Sequence, residues 1–142
     1  MSFEEKSISV SLAITLAVWG NYFFRIFQYI ESGTATLSVL GGLLITAVLA
    51  TVIIEIVAQA VIAGYSARRE GKTGLRDERD RAILYRASYQ ASYVLAAGII
   101  MSVLVALVTE NLVSTLNTLM LHFIAAEVWR YAAQLYMYRR GF

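Results

Sequence analysis

Charge is missing from four long stretches of this chain. Ser7 to Phe24 carries none over 18 residues, and between Gly33 and Ala67 the only charge is Glu55. A third run, Ala87 to Thr109, holds 23 uncharged residues. A fourth, Leu112 to Tyr138, is interrupted by His122, Glu127 and Arg130. A helix rises ~1.5 Å per residue, so ~20 apolar residues cross ~30 Å of hydrocarbon. The pattern predicts an all-α polytopic membrane protein, an antiparallel four-helix transmembrane bundle. Its helices fall at about 7–30, 35–66, 77–109 and 112–138, in one domain over residues 1–142. The run from Gly33 to Ala67 would reach about 50 Å as one helix. It must tilt, protrude, or begin later, after Gly41-Gly42.

The opening MSFEEK is acidic and no small-residue cleavage site follows it. The first run therefore reads as an uncleaved span and not as a signal peptide. The links Glu31–Thr34 and Glu110–Asn111 are very short, which makes neighbouring helices antiparallel. The one strongly polar stretch is Arg68 to Arg86, with a cytoplasmic segment expected at about 67–84. Gly71 to Gly74 mark its turn, and Asp77, Glu78 and Asp80 cluster where the third helix starts. Carboxylates there complement the helix dipole, and Asp77 is placed to cap it.

Placement of Lys and Arg sets the orientation. Arg68, Arg69, Lys72, Arg76, Arg79, Arg81 and Arg86 lie between the second and third helices, and Lys6, Arg139 and Arg140 lie at the termini. The two opposite links hold none. Both termini are therefore expected in the cytoplasm, with the basic face against anionic lipid headgroups.

Composition sharpens this picture: 58% of residues are hydrophobic and 15% charged, where a soluble domain has about a quarter charged. There is no cysteine, which excludes disulfides, thiolate metal sites and a cysteine nucleophile. There is no proline either, so no helix is broken by one. Tyr65, Tyr85, Tyr136 and Tyr138 at the basic side, and Tyr22, Phe23, Phe24, Phe27 and Tyr29 at the other, read as interfacial aromatic belts. Tyr85, Tyr89 and Tyr93 repeat at i, i+4, i+8, and beside them Ser88, Ser92 and Ala96 form a small-residue stripe where another helix can approach.

Ionisable groups inside lipid need partners, since a charge at a helix centre costs at least ~2.5–3.5 kcal/mol on insertion scales. Glu55 has Thr51 and Gln59 one turn either way, and Glu127, Arg130 and Gln134 form a second stripe. Counting ~1.5 Å per residue places Glu55 and Arg130 each roughly 7 Å to the cytoplasmic side of the midplane. Glu55, Gln59, Glu127, Arg130 and Gln134 are thus expected to form one intramembrane polar cluster. With one guanidinium facing two carboxyls, either a carboxyl holds a proton or another cation joins. The cluster reads first as structural, fixing helix pairing, and second as a site of proton or ion handling. Arg25 is expected to snorkel or to pair with Glu31 or Glu110, and His122 to be a hydrogen-bonded interior histidine. Haem ligation by His122 with Met101 or Met120 is the sharper but weaker reading, and no cofactor and no metal are expected.

Arg68, Arg69, Arg76, Asp77, Glu78, Arg79, Asp80 and Arg81 form a candidate docking segment for a cytoplasmic protein. Its carboxylates dilute the positive field, and no aromatic residue interrupts Arg68 to Arg81, which argues against nucleic acid as a direct ligand.

Three pieces of the chain, taken together, resemble a bacterial family of small, uncharacterised four-helix membrane proteins. They are Val52-Ile53-Ile54-Glu55-Ile56, Asp77-Glu78-Arg79-Asp80-Arg81-Ala82-Ile83, and Ala126-Glu127-Val128-Trp129-Arg130-Tyr131 leading to Tyr136-Met137-Tyr138-Arg139-Arg140-Gly141. The resemblance implies a bacterial inner membrane. It also implies a regulatory partner, because such proteins are often encoded beside small helix-turn-helix regulators. It implies no activity. The expected function is a non-enzymatic interaction or regulatory membrane protein. The alternative is a small transporter or channel, working as a homodimer and coupled to protons. An enzyme ranks third, since no nucleophile–base pair or cofactor loop is visible.

Overall fold

The structure, a computed structural model of the chain, describes residues 3–70 and 78–140, with side chains over 4–65 and 78–140. Among the described residues there are four helices and no strand: α1 Phe3–Glu31, α2 Leu37–Glu70, α3 Glu78–Thr109 and α4 Leu112–Arg140. Each is long and apolar enough to cross a membrane.

Local chemistry sets the helix ends. At the end of α1, Gly33 adopts φ +69°, the left-handed conformation glycine takes without strain. Its N–H bonds Ile30 O at 3.1 Å, and the Thr34 N–H bonds Tyr29 O at 3.0 Å. Both are the bonds of a Schellman cap. Thr36 Oγ1 then accepts from Val39 N at 3.3 Å and starts α2 at Leu37, two residues later than expected. Asn111 Oδ1 caps α4 in the same way, accepting from Ser114 N at 3.1 Å.

The helices overrun the apolar stretches at the basic end. α1 starts at Phe3, with Glu4 and Glu5 in its first turn where carboxylates complement the dipole. α2 continues past Ser66 to Glu70, because Ala67, Arg68 and Arg69 are good helix formers. α4 runs to Arg140, and Arg139 and Arg140 complement its C-terminal dipole. Hydropathy marked where lipid would end, not where the hydrogen-bonded ladder ends. Gly41 and Gly42 lie inside α2, so the helix does not begin after them.

α1 packs on both α2 and α4, and α3 packs chiefly along α4. The order across the molecule is therefore α2, α1, α4, α3. The main core joins Trp19, Tyr22 and Ile26 of α1 with Leu40 and Ala47 of α2 and Ile124 of α4. A second cluster joins Ile83 and Ala87 of α3 with Met137 of α4. Tyr22, expected in an aromatic belt, is 1% exposed in this core and donates to Asn117 Oδ1 at 3.2 Å. Most large aliphatic side chains point outward instead, among them Ile56, Val61, Leu107 and Val108. A surface so continuously apolar suits lipid and not water.

The small-residue face of α3 is rotated from expectation. Ser88, Ser92 and Ala96 are exposed. Ala87, Ala91, Gly98 and Ser102, each lying one position from a residue of the expected face or extending it, are the buried ones. Tyr85, Tyr89 and Tyr93 stay outside, where their bulk does not separate α3 from α4.

Candidate functional site

The polar groups of the helix interiors fall into two sets near the basic end. The first bridges α1 and α2. Ser7 Oγ donates to Gln59 Oε1 at 2.7 Å. Gln59 Nε2 donates to Ser11 Oγ at 3.0 Å and reaches Glu55 Oε1 at 3.3 Å. Ser11 Oγ in turn donates to Glu55 Oε1. Each hydroxyl or amide passes its donor to the next acceptor, so the chain of bonds ends on the carboxyl. Aligned chains of this kind strengthen one another where water is excluded. Thr51, on the same face as Glu55, spends its hydroxyl on Ala47 O at 2.8 Å.

The second set lies on α4. Arg130 Nη2 donates to Glu127 Oε2 at 2.5 Å, an i, i+3 pair with side chains 29% and 33% exposed. The guanidinium also lies 4.8 Å from the centre of the Tyr131 ring. Its buried Nε finds no partner among the described residues. Gln134, one turn on, is buried.

Tyr131 joins the two sets. Its side chain meets Ser11 and stands in the fields of Arg130, Glu127 and Glu55. Arg130 pairs with Glu127 and not with Glu55. Glu55 is held by the neutral donors Ser11 and Gln59. Ser7, Ser11 and Tyr131 were not among the expected residues. The signal for the serines was present: Ser7, Ser11 and Thr15 recur every four residues, and Ser11 and Thr15 are buried.

Arg25 is exposed and donates from Nε to Asn21 Oδ1 at 3.4 Å. Its partner is Asn21, one turn back on α1, in place of Glu31 or Glu110. His122 is half-buried, with Nδ1 2.8 Å from Thr118 O. It lies directly over Gly98 of α3, where an added Cβ would overlap its side chain. Met120 packs against the main core, and Met101 is exposed.

At the basic end, the Tyr138 hydroxyl donates to Asp80 Oδ1 at 2.7 Å, and Arg79 lies 5.9 Å from the centre of the Tyr138 ring. The end of α4 is thereby tied to the first turn of α3, where Glu78 and Arg81 are exposed. Arg68 and Arg69 belong to the last turns of α2, with side chains outside those described, and Arg76 and Asp77 lie outside the described residues.

Comparison with family models, with curated proteins and with solved structures finds no match to this chain.

Proposed function

We propose that this chain is a multi-pass protein of the bacterial inner membrane. It threads the bilayer as an antiparallel four-helix bundle with both termini in the cytoplasm, and it acts without catalysis, presenting a charged segment to a cytoplasmic protein. The observation that carries this reading is the Tyr138–Asp80 bond, which binds the charged ends of α3 and α4 into one surface. The contacts of Ser7 with Gln59 and of Ser11 with Tyr131 bring the start of α1 to that same end. Ten of the 12 Lys and Arg residues belong to this end by sequence, as the positive-inside rule asks of a cytoplasmic face. The intramembrane polar groups fit a structural role, because Glu55 and Glu127 each already have partners from the chain itself.

The test is affinity purification from native membranes in mild detergent, with a variant in which Asp77, Glu78 and Asp80 are all changed to Asn or Gln. A stoichiometric cytoplasmic protein that is lost in the variant, with insertion intact, supports the reading. Unchanged capture overturns it.

A second reading is proton-coupled transport by a homodimer. It is favoured by Tyr131, which stands in the fields of both Glu55 and Glu127. Proton-coupled flux in liposomes that survives Glu55→Gln with Glu127→Gln eliminates it.

A further inference from the structure

A groove opens between α3 and α4 beside Trp129, but its basic lining residue, Arg86, is already engaged within the chain. A different groove, of about 430 Å³, runs between α1 and α4 at the basic end. That volume falls within the ~300–1,000 Å³ of sites that hold small ligands. Leu12 of α1 forms one wall, and Ala132, Leu135 and Tyr136 of α4 form the other. Arg139 and Arg140, one turn beyond Leu135 and Tyr136, line the same groove at the end of the helix, and both are exposed. No carboxylate lines it, and among the described residues neither guanidinium forms an ion pair. Arg140 lies 4.9 Å from the centre of the Tyr136 ring, a contact that leaves its charge unneutralised. Ala132 and Arg140 are eight residues apart, or ~12 Å along the helix. That is most of one leaflet of a ~30 Å hydrocarbon core. The groove is thus apolar at acyl-chain depth and cationic at headgroup depth, where a tyrosine such as Tyr136 also settles.

We propose that this α1–α4 groove binds one acidic phospholipid of the leaflet on the basic side. An acyl chain lies along Leu12, Ala132 and Leu135, and the phosphate sits at Arg139 and Arg140. The inference rests on the membrane reading above. Charge complementarity selects the occupant, because the two guanidinia without a carboxylate line the very groove that has the apolar walls. A zwitterionic lipid fits those walls equally well but brings its own cation to the arginines. An acidic peptide matches the arginines but not the apolar run that enters the bilayer. Each basic residue near the surface is worth up to about five-fold in affinity for an anionic lipid.

The test counts the lipid that the full chain retains. The protein is reconstituted into vesicles of equal phosphatidylglycerol and phosphatidylcholine with matched acyl chains, then released in mild detergent for native mass spectrometry. The expected result is one retained phosphatidylglycerol, favoured several-fold over phosphatidylcholine. Arg139→Gln with Arg140→Gln should bring that ratio to near unity. Lys6→Gln with Arg81→Gln removes the same charge from exposed positions outside the groove and should leave the ratio as in wild type. Near-equal retention of the two lipids by wild type overturns the proposal. So does a preference that survives loss of both groove arginines, or a second copy of the chain retained with no lipid. An equal fall in both double variants also overturns it, since the whole basic face, and no one groove, would then attract the lipid. Arg139→Gln alone, at an exposed helix end, should lose up to about five-fold and keeps the test should the double variant fold poorly. Failure of the membrane reading is separately visible: alkaline carbonate would strip the protein from the vesicles before any lipid is counted.

Discussion

Gly98 of α3 lies so close beneath His122 of α4 that a Cβ built on the glycine would fall within the histidine side chain. Membrane helices gain little from the hydrophobic effect against one another, so close backbone approach and packing hold them together. This contact and the Ala87–Met137 cluster near the basic end bracket the α3–α4 interface. Gly98→Ala should therefore destabilise the protein by about 1–3 kcal/mol, the usual range for overpacking. Thermal unfolding in detergent reads this directly, and adding His122→Ala should restore little of the loss, because the added Cβ meets the Cβ that alanine keeps. A Gly98→Ala protein that melts like wild type would show that the two helices do not approach this closely.

The Ser11–Glu55 bond is the key polar link between α1 and α2. Hydrogen bonds between membrane helices average about 0.6 kcal/mol and reach about 1.7. A double-mutant cycle of Ser11→Ala and Glu55→Ala, followed by unfolding in denaturing detergent, should give a coupling in that range. Glu55→Gln keeps an acceptor for Ser11 and Gln59 and should lose less than Glu55→Ala. Zero coupling would remove Ser11 as the partner of Glu55.

Glu127 and Arg130 should behave as a pair. Glu127→Gln leaves a guanidinium in the helix without its carboxylate, which costs up to about 2.5–3.5 kcal/mol on insertion scales. The actual loss should be smaller, since both side chains are about one-third exposed. Glu127→Gln with Arg130→Gln should insert better than Glu127→Gln alone, because replacing both charges removes the stranded one. Insertion yield measured for the three proteins tests the order; a double variant worse than the single would contradict it.

Tyr138→Phe removes the donor to Asp80 and should cost about 1 kcal/mol. The effect should be local, with faster hydrogen exchange in the last turn of α4 and the first turn of α3. Exchange unchanged at both ends would mean the bond does not hold them together.

The chain has no cysteine, so single cysteines report threading without background. Ser32→Cys, in the link between α1 and α2, should react with a membrane-impermeant maleimide in intact spheroplasts. Glu5→Cys should react only after permeabilisation. The reverse pattern would invert the orientation.

The sequence by itself determined four helices, and it placed their ends to within a few residues, because the absence of charge over ~20 residues is a property of the chain alone. It also singled out Glu55, Glu127 and Arg130, since an ionisable group inside an apolar run is conspicuous wherever the run folds. Their partners were only partly legible. Arg130 finds Glu127 one turn away on its own helix, a spacing visible in sequence. Glu55 finds Ser11, 44 residues distant, and that choice depends on which face α1 turns to α2. Tertiary structure alone decided three further matters: that Tyr22 lies in the core, that α3 packs through Ala87, Ala91 and Gly98 in place of Ser88, Ser92 and Ala96, and that a groove opens between α3 and α4 beside Trp129. The reason is physical. In helices apolar on every side, hydropathy carries almost no information about rotation, and the rotation is fixed only when small residues and polar side chains of different helices meet.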